Sequence, residues 1–124
     1  MTNDQEVTTM HDDTTRLIAL KIAKQAAGKT LRLARTIPAP LRCLADQVIR
    51  SSTSVSGNLA EGAGRVGRDR IHHWRIAYAS ALETSTHIEE LVDDGAVDRG
   101  LATEILALED RVRAMTWKLL HPRR

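Results

Sequence analysis

The first residues that invite a chemical reading are Gly62-Ala63-Gly64-Arg65-Val66-Gly67, which fit the spacing G-x-G-x-x-G. In a dinucleotide fold such a loop follows a β-strand and opens a helix aimed at pyrophosphate. Here the string follows a segment of helical periodicity and no strand pattern exists to hold a βαβ unit. It reads as a turn between helices. One part of the phosphate reading survives: backbone N–H groups at the start of the next helix, beside Arg65, Arg68 and Arg70, suit an anionic oxygen.

His72, His73 and His87 invite a metal. Di-iron bundles use Glu-x-x-His on two helices plus further glutamates. Thr84 stands three residues before His87, Glu83 stands four before it, and there is no second such pair. The histidines are expected on the surface or facing a partner, with no metal and no other cofactor. Cys43, the single cysteine, cannot form an internal disulfide and has no histidine nearby in sequence; a buried or half-buried thiol is expected. Arg50-Ser51-Ser52-Thr53-Ser54-Val55-Ser56 is helix interior by periodicity, and no strained turn presents a nucleophile. Small hydroxyl residues there allow close backbone approach and can bond the preceding turn. No set of residues meets the geometric requirements of a catalytic site, so the chain is not expected to be an enzyme.

Four helices must position these residues. Residues 1–12 read as a disordered arm and 13–124 as one domain. Asp13 or Thr14 is expected to cap the first helix. In that helix Leu20, Ala23, Ala27, Leu31 and Ala34 share one arc, with Ala19, Ile22 and Ala26 beside them, and Lys21, Lys24, Lys29, Arg32 and Arg35 share the opposite arc. Pro38 and Pro40 stop it near Thr36. A second helix starts at or just after Pro40 and follows Leu41, Leu44 or Ala45, Val48, Ser52, Val55 and Leu59, until the glycines after Glu61 allow a left-handed cap. A third runs from about Asp69 to Asp93 on Trp74, Ala77 or Tyr78, Ala81, Ser85, Ile88 and Val92, and Gly95 ends it. A fourth runs from about Asp98 to Leu120 on the heptad Leu101, Ile105, Leu108, Val112, Met115, Leu119. Short loops make sequential helices antiparallel. The expected fold is all-α, an antiparallel up-down-up-down four-helix bundle.

Composition agrees. The 124 residues fit one domain, 42% apolar and only 2% aromatic with no Phe, so the core must be Leu, Ile, Val and Ala. No apolar run approaches the ~18 residues of a membrane span. The polar N-terminus lacks the apolar stretch of a signal peptide, and a cytoplasmic location without membrane contact is expected. Net charge is only +2, but Thr14 to Ala45 holds seven cations and no Asp or Glu, whereas Ile76 to Asp110 holds nine carboxylates against Arg99. The tail turns basic again from Arg111.

From Leu41 to Leu91 the chain resembles a known family. The matching strings are Gln47-Val48-Ile49-Arg50-Ser51-Ser52, then Ser54-Val55-Ser56-Gly57-Asn58-Leu59-Ala60-Glu61-Gly62-Ala63-Gly64-Arg65, then Ile76-Ala77-Tyr78-Ala79-Ser80-Ala81-Leu82-Glu83. They are similar to the motifs of the four-helix bundle proteins, also called the rRNA intervening-sequence protein family. The resemblance implies a ring-shaped homopentamer of four-helix bundles, encoded in insertions within bacterial rRNA genes and elsewhere. The chain is also similar to accessory proteins of diversity-generating retroelements, basic pentamers that bind a reverse transcriptase and nucleic acid. The matching positions are Gln47, Arg50, Asn58, Glu61, Gly62, Ser80 and Glu83. Asn58, Glu61, Arg50 and Glu83 are expected to form a structural hydrogen-bonded network near a bundle or subunit contact. Two departures bear on helix packing: no Glu follows Pro40 closely, and Ala79 stands where the family has glycine.

The functional expectation is a non-catalytic homo-oligomer that binds RNA or DNA through a basic face, with a reverse transcriptase as a further partner. The alternative is an assembly scaffold that docks a protein and never touches nucleic acid; near-neutral charge and the lack of base-stacking aromatics favour it. In an up-down-up-down bundle one end gathers Arg16, Arg65, Arg68, Arg70, Arg113, Lys118, Arg123 and Arg124. That end is the expected nucleic-acid site, with Lys21 and Lys24 on the first helix as a secondary contact.

Overall fold

The computed structural model describes the backbone of residues 4–123 and the side chains of residues 13–123. Its helices are α1 (Asp4–Ala34), α2 (Arg42–Ala63), α3 (Gly67–Asp93) and α4 (Arg99–Leu120), and a single 3-10 turn, Ala39–Leu41, leads into α2. No strand occurs among the described residues. Each helix packs only against its two neighbours around a square: α1 on α2, α2 on α3, α3 on α4 and α4 on α1. This is the up-down-up-down bundle. No helix among the described residues is long and apolar enough to cross a membrane.

Two helix ends differ from expectation and two agree with it. α1 runs through the cap expected at Asp13 or Thr14, because Asp13 pairs with Arg16 at 2.8 Å and the backbone is already helical from Asp4. The arm expected at residues 1–12 lies, for its first three residues and all its side chains, outside the described residues. α2 ends without a left-handed glycine: Gly64 keeps φ −87° and ψ 0°, and the positive φ of 60° falls on Gly67 instead. Arg70 satisfies the last carbonyls of α2, its Nε donating to the Gly62 oxygen at 3.0 Å and its Nη2 to that of Ala63 at 3.3 Å. α3 ends as expected at Gly95, φ 74°, with the Ala96 N–H donating back to the Leu91 oxygen at 3.0 Å. Asp98 caps α4, its Oδ2 accepting from the Leu101 N–H at 2.8 Å.

The interior divides into two apolar clusters. One joins Ala19, Ile22, Ala23, Val55, Leu59, Trp74, Ala77, Ala81, Val112 and Leu119. The other joins Leu33, Val48, Ile88, Leu91, Ala102 and Ile105. On every helix the buried positions between them are small or polar: Ala26 and Thr30, Ser51 and Ser52, Thr84 and Ser85, Glu109. Of the heptad expected on α4, Ile105, Val112 and Leu119 are buried as expected and the other three positions are not. Ala102, Glu109 and Thr116 are buried, whereas Leu101, Leu108 and Met115 are half-buried at the flank. α1 is shifted in the same way: Ala23, Ala27 and Ala34 are buried as expected, but Thr30 and Leu33 are fully buried and Leu20 and Leu31 only partly.

Candidate functional site

Two surfaces carry the residues singled out by the sequence. The first is a groove between α2 and α3. Gln47, Arg50, Ser51 and Ser54 line it from α2, Ser80 and Glu83 from α3, around about 420 Å³. Four of these six are motif positions: Gln47, Arg50, Ser80 and Glu83. The helices are stitched together by hydroxyls. Ser54 Oγ and Ser80 Oγ lie 2.9 Å apart. Thr84 Oγ1 lies 2.8 Å from Ser51 Oγ and 2.8 Å from the Ser80 carbonyl oxygen. These bonds satisfy small side chains that let two helix backbones approach. Arg50 and Glu83 are exposed and belong to none of the ion pairs among the described residues.

The network expected of Asn58, Glu61, Arg50 and Glu83 does not form within one bundle. Asn58 donates from Nδ2 to the Ser54 carbonyl oxygen at 2.9 Å and to Ser54 Oγ at 3.1 Å, and its Oδ1 lies 2.9 Å from His73 Nδ1. Glu61 is exposed and pairs with Arg65 at 2.7 Å. The hydrogen bond from Arg65 holds its carboxyl below the usual value, and Glu61 in turn raises Arg65. Gly62 has a plain steric role. A Cβ there would sit 2.6 Å from Trp74 Cδ1 and Nε1, so only glycine lets the buried indole close the top of the bundle.

The second surface is the basic end, where the cluster of Ala19, Leu59, Trp74 and Leu119 brings the predicted neighbours together. Several of its cations are already engaged. Arg65 lies between Glu61 and Asp69, the latter at 3.1 Å. Arg16 pairs with Asp13 and Arg113 with Asp110. Arg70 caps α2 and places its guanidinium 5.4 Å from the Trp74 ring centroid. Arg68, Lys118 and Arg123 are exposed without an ion pair among the described residues, as are Lys21 and Lys24 on the outer face of α1. Arg124 lies outside the described residues. The phosphate cradle imagined around Arg65, Arg68 and Arg70 is thus reduced to Arg68. Neighbouring carboxylates and carbonyls claim the other two, a competition that residue type alone does not reveal.

Other residues fall into place. Cys43 is exposed, not buried as expected, on the first turn of α2. His87 Nδ1 lies 3.1 Å from Glu90, three residues on, rather than facing Glu83. No group of three or more His, Cys, Asp or Glu suited to a metal occurs among the described residues. Two features were missed by sequence reasoning. Glu109 is fully buried on α4, and neither carboxylate oxygen has a hydrogen-bond partner. Burial raises its pKa to about 8, against the opposing pull of Arg113. The second is an exposed aromatic group in which Trp117 stacks on His121, with ring centroids 3.7 Å apart and planes at 27°, and Tyr78 stands 6.1 Å from the indole. The first could have been suspected from its seven-residue spacing with Ala102 and Thr116; the second follows from the four-residue spacing of Trp117 and His121.

The profile of the 23S rRNA-intervening sequence protein family matches residues 15–118. The fold is similar to a crystal structure from Bacteroides thetaiotaomicron VPI-5482, described as a protein with unknown function from the S23 ribosomal protein family. The TM-score is 0.78 and identity is 19%, over 86% of this chain and 97% of that one. No curated protein sequence matches the chain.

Proposed function

Because the chain belongs to the 23S rRNA-intervening sequence protein family and keeps free cations at one end of its bundle, we propose that it is a non-catalytic homo-oligomer that binds nucleic acid through that end. The observation that carries the reading is electrostatic. Residues 111–124 hold five cations and no acidic side chain, and Lys118, Arg123 and Arg68 are exposed with no ion pair among the described residues. Unpaired cations on one face attract phosphates by counterion release, whereas those held by carboxylates contribute little. A pentameric ring, supported by the sequence resemblance, would repeat this end around one face. A reverse-transcriptase partner is supported by that resemblance alone.

The test is a salt titration with a single-stranded oligonucleotide. Affinity of the wild type should fall with a log–log slope of roughly −0.7 per phosphate neutralised. Reversing Arg68, Lys118 and Arg123 to Glu together should weaken binding and flatten the slope. An unchanged slope places the site elsewhere.

A second reading, assembly without nucleic acid, is favoured by the groove. Arg50 and Glu83 bring opposite charges to the α2–α3 surface, and neither has an ion-pair partner among the described residues. Such a pair suits a complementary surface of another copy or another protein. In the proposed homo-oligomer the groove serves subunit contact and the basic end serves the ligand. If the wild type binds no RNA or DNA at low salt, the scaffold reading takes over.

A further inference from the structure

Trp117 is 52% exposed, an unusual state for the largest side chain in a domain with so little aromatic content. It is also held in place. The His121 ring lies on the indole at 3.7 Å, and the imidazole Nδ1–H donates to the Trp117 carbonyl oxygen at 3.0 Å. The main-chain N–H of His121 donates to the same oxygen at 2.9 Å. Tyr78 approaches from α3 with its plane tilted by 49°. A pre-formed stack of this kind loses little rotamer freedom when another flat ring is added to it.

The charges near the stack in sequence are mostly cationic. Lys118 follows Trp117, Arg123 lies two residues after His121, Arg75 precedes Tyr78 by one helical turn, and all three are exposed. Asp110, two turns before Trp117, is bound to Arg113. Of the chain's three Trp and Tyr residues, Trp74 is buried in the core and the other two meet here, at the basic end of α3 and α4. Exposed rings among unpaired cations are the combination that grips a single strand: the cations follow the phosphates and the rings take the bases. A second copy presenting the same face would bring like charge to like charge.

Resting on the nucleic-acid reading above, we propose that Trp117, braced by His121 and Tyr78, is a base-stacking platform that makes this end selective for single-stranded over duplex nucleic acid. Stacking needs an unpaired base, because bases within a duplex already stack on their neighbours. The platform reads no sequence, since every base has a flat face.

The experiment measures binding of a fluorescein-labelled oligouridylate, and of a duplex of equal length, by anisotropy across a salt series. The proteins are wild type, Trp117→Ala and Trp117→Phe, each checked for helicity and for mass by light scattering. Trp117→Ala should lose about tenfold or more in single-strand affinity, keep the wild-type salt slope because no phosphate contact is lost, and bind the duplex as before. Trp117→Phe should retain most of the affinity. Equal affinity of wild type and Trp117→Ala, with salt-dependent binding intact, overturns the platform and leaves the nucleic-acid reading standing. No binding by the wild type at low salt overturns that reading and the platform with it. A lower assembly mass for Trp117→Ala overturns the platform by assigning the stack to a subunit contact.

Discussion

Glu109 should make the bundle weaken as pH rises through the neutral range. Its carboxyl is fully buried between two apolar clusters, both oxygens are unpartnered, and burial raises its pKa from 4.5 to about 8. The folded protein therefore keeps a proton that the unfolded chain has lost between those two values. Unfolding in that window releases a proton, so stability falls with increasing pH. The stabilising effect of the proton is fully present below 4.5 and is gone above about 8. At about 1.36 kcal/mol per pH unit the whole change is about 5 kcal/mol, of which about 3 is lost by pH 7. Against a typical domain stability of about 5–15 kcal/mol that is a large effect. Glu109→Met keeps the length of the side chain and removes the titration. Urea unfolding of wild type and variant at each pH unit from 5 to 9 should show the variant gaining on the wild type up to about pH 8, by several kcal/mol, and level beyond it, while the m-value stays constant. Because other titrating groups are common to both proteins, the difference isolates Glu109. Arg113, four residues on, is turned toward Asp110. If it swings to pair with Glu109 instead, the carboxyl titrates normally, the difference between variant and wild type becomes independent of pH, and the reasoning is refuted.

Other substitutions test the remaining contacts. Gly62→Ala should cost about 1–3 kcal/mol in urea unfolding, because the Cβ meets the Trp74 ring at 2.6 Å and that ring is too buried to swing away; a neutral result means α2 and α3 separate easily at this end. Asp98→Ala should cost about 1 kcal/mol by removing the cap of α4, read as a lower thermal midpoint with no change in assembly mass. Reversing Arg50 to Glu, or Glu83 to Arg, should lower the mass measured by light scattering at micromolar concentration if the groove is a subunit contact, and an unchanged mass for both moves that contact to another surface.

The bundle was legible because its apolar spacing is helical and its loops carry strong signals: Pro38 and Pro40 before α2, Gly95 after α3, Asp98 before α4. Which residue lies at the centre of each helix was less so. Leu108 outranks Glu109 on any hydrophobic scale, yet α4 packs on α1 and α3 at once, and Leu108 is half-buried while Glu109 is fully buried. A single-helix wheel does not contain those two neighbours. The motif positions Gln47, Arg50, Ser80 and Glu83 proved to share one groove, and their order in sequence gave no sign of it. The gathering of cations at one end follows from the topology, but residue type alone overstates how many of them are free. Arg65, Arg70, Arg16 and Arg113 each have a near neighbour within one or two helical turns that occupies them, and only side-chain geometry decides such contests.

The hydroxyl pairs across the middle of the bundle also fix how far α2 can slide against α3. An interior of alanine and aliphatic residues offers many packings of similar energy, related by moving one helix along its axis by a turn. Such a movement of α2 along α3 would part Ser51 from Thr84 and Ser54 from Ser80. Buried hydroxyls left without partners cost more than the shifted hydrocarbon contacts return. The vertical alignment of the helices is thereby set to a single value, and with it the height at which Arg50 on one helix stands across the groove from Glu83 on the next.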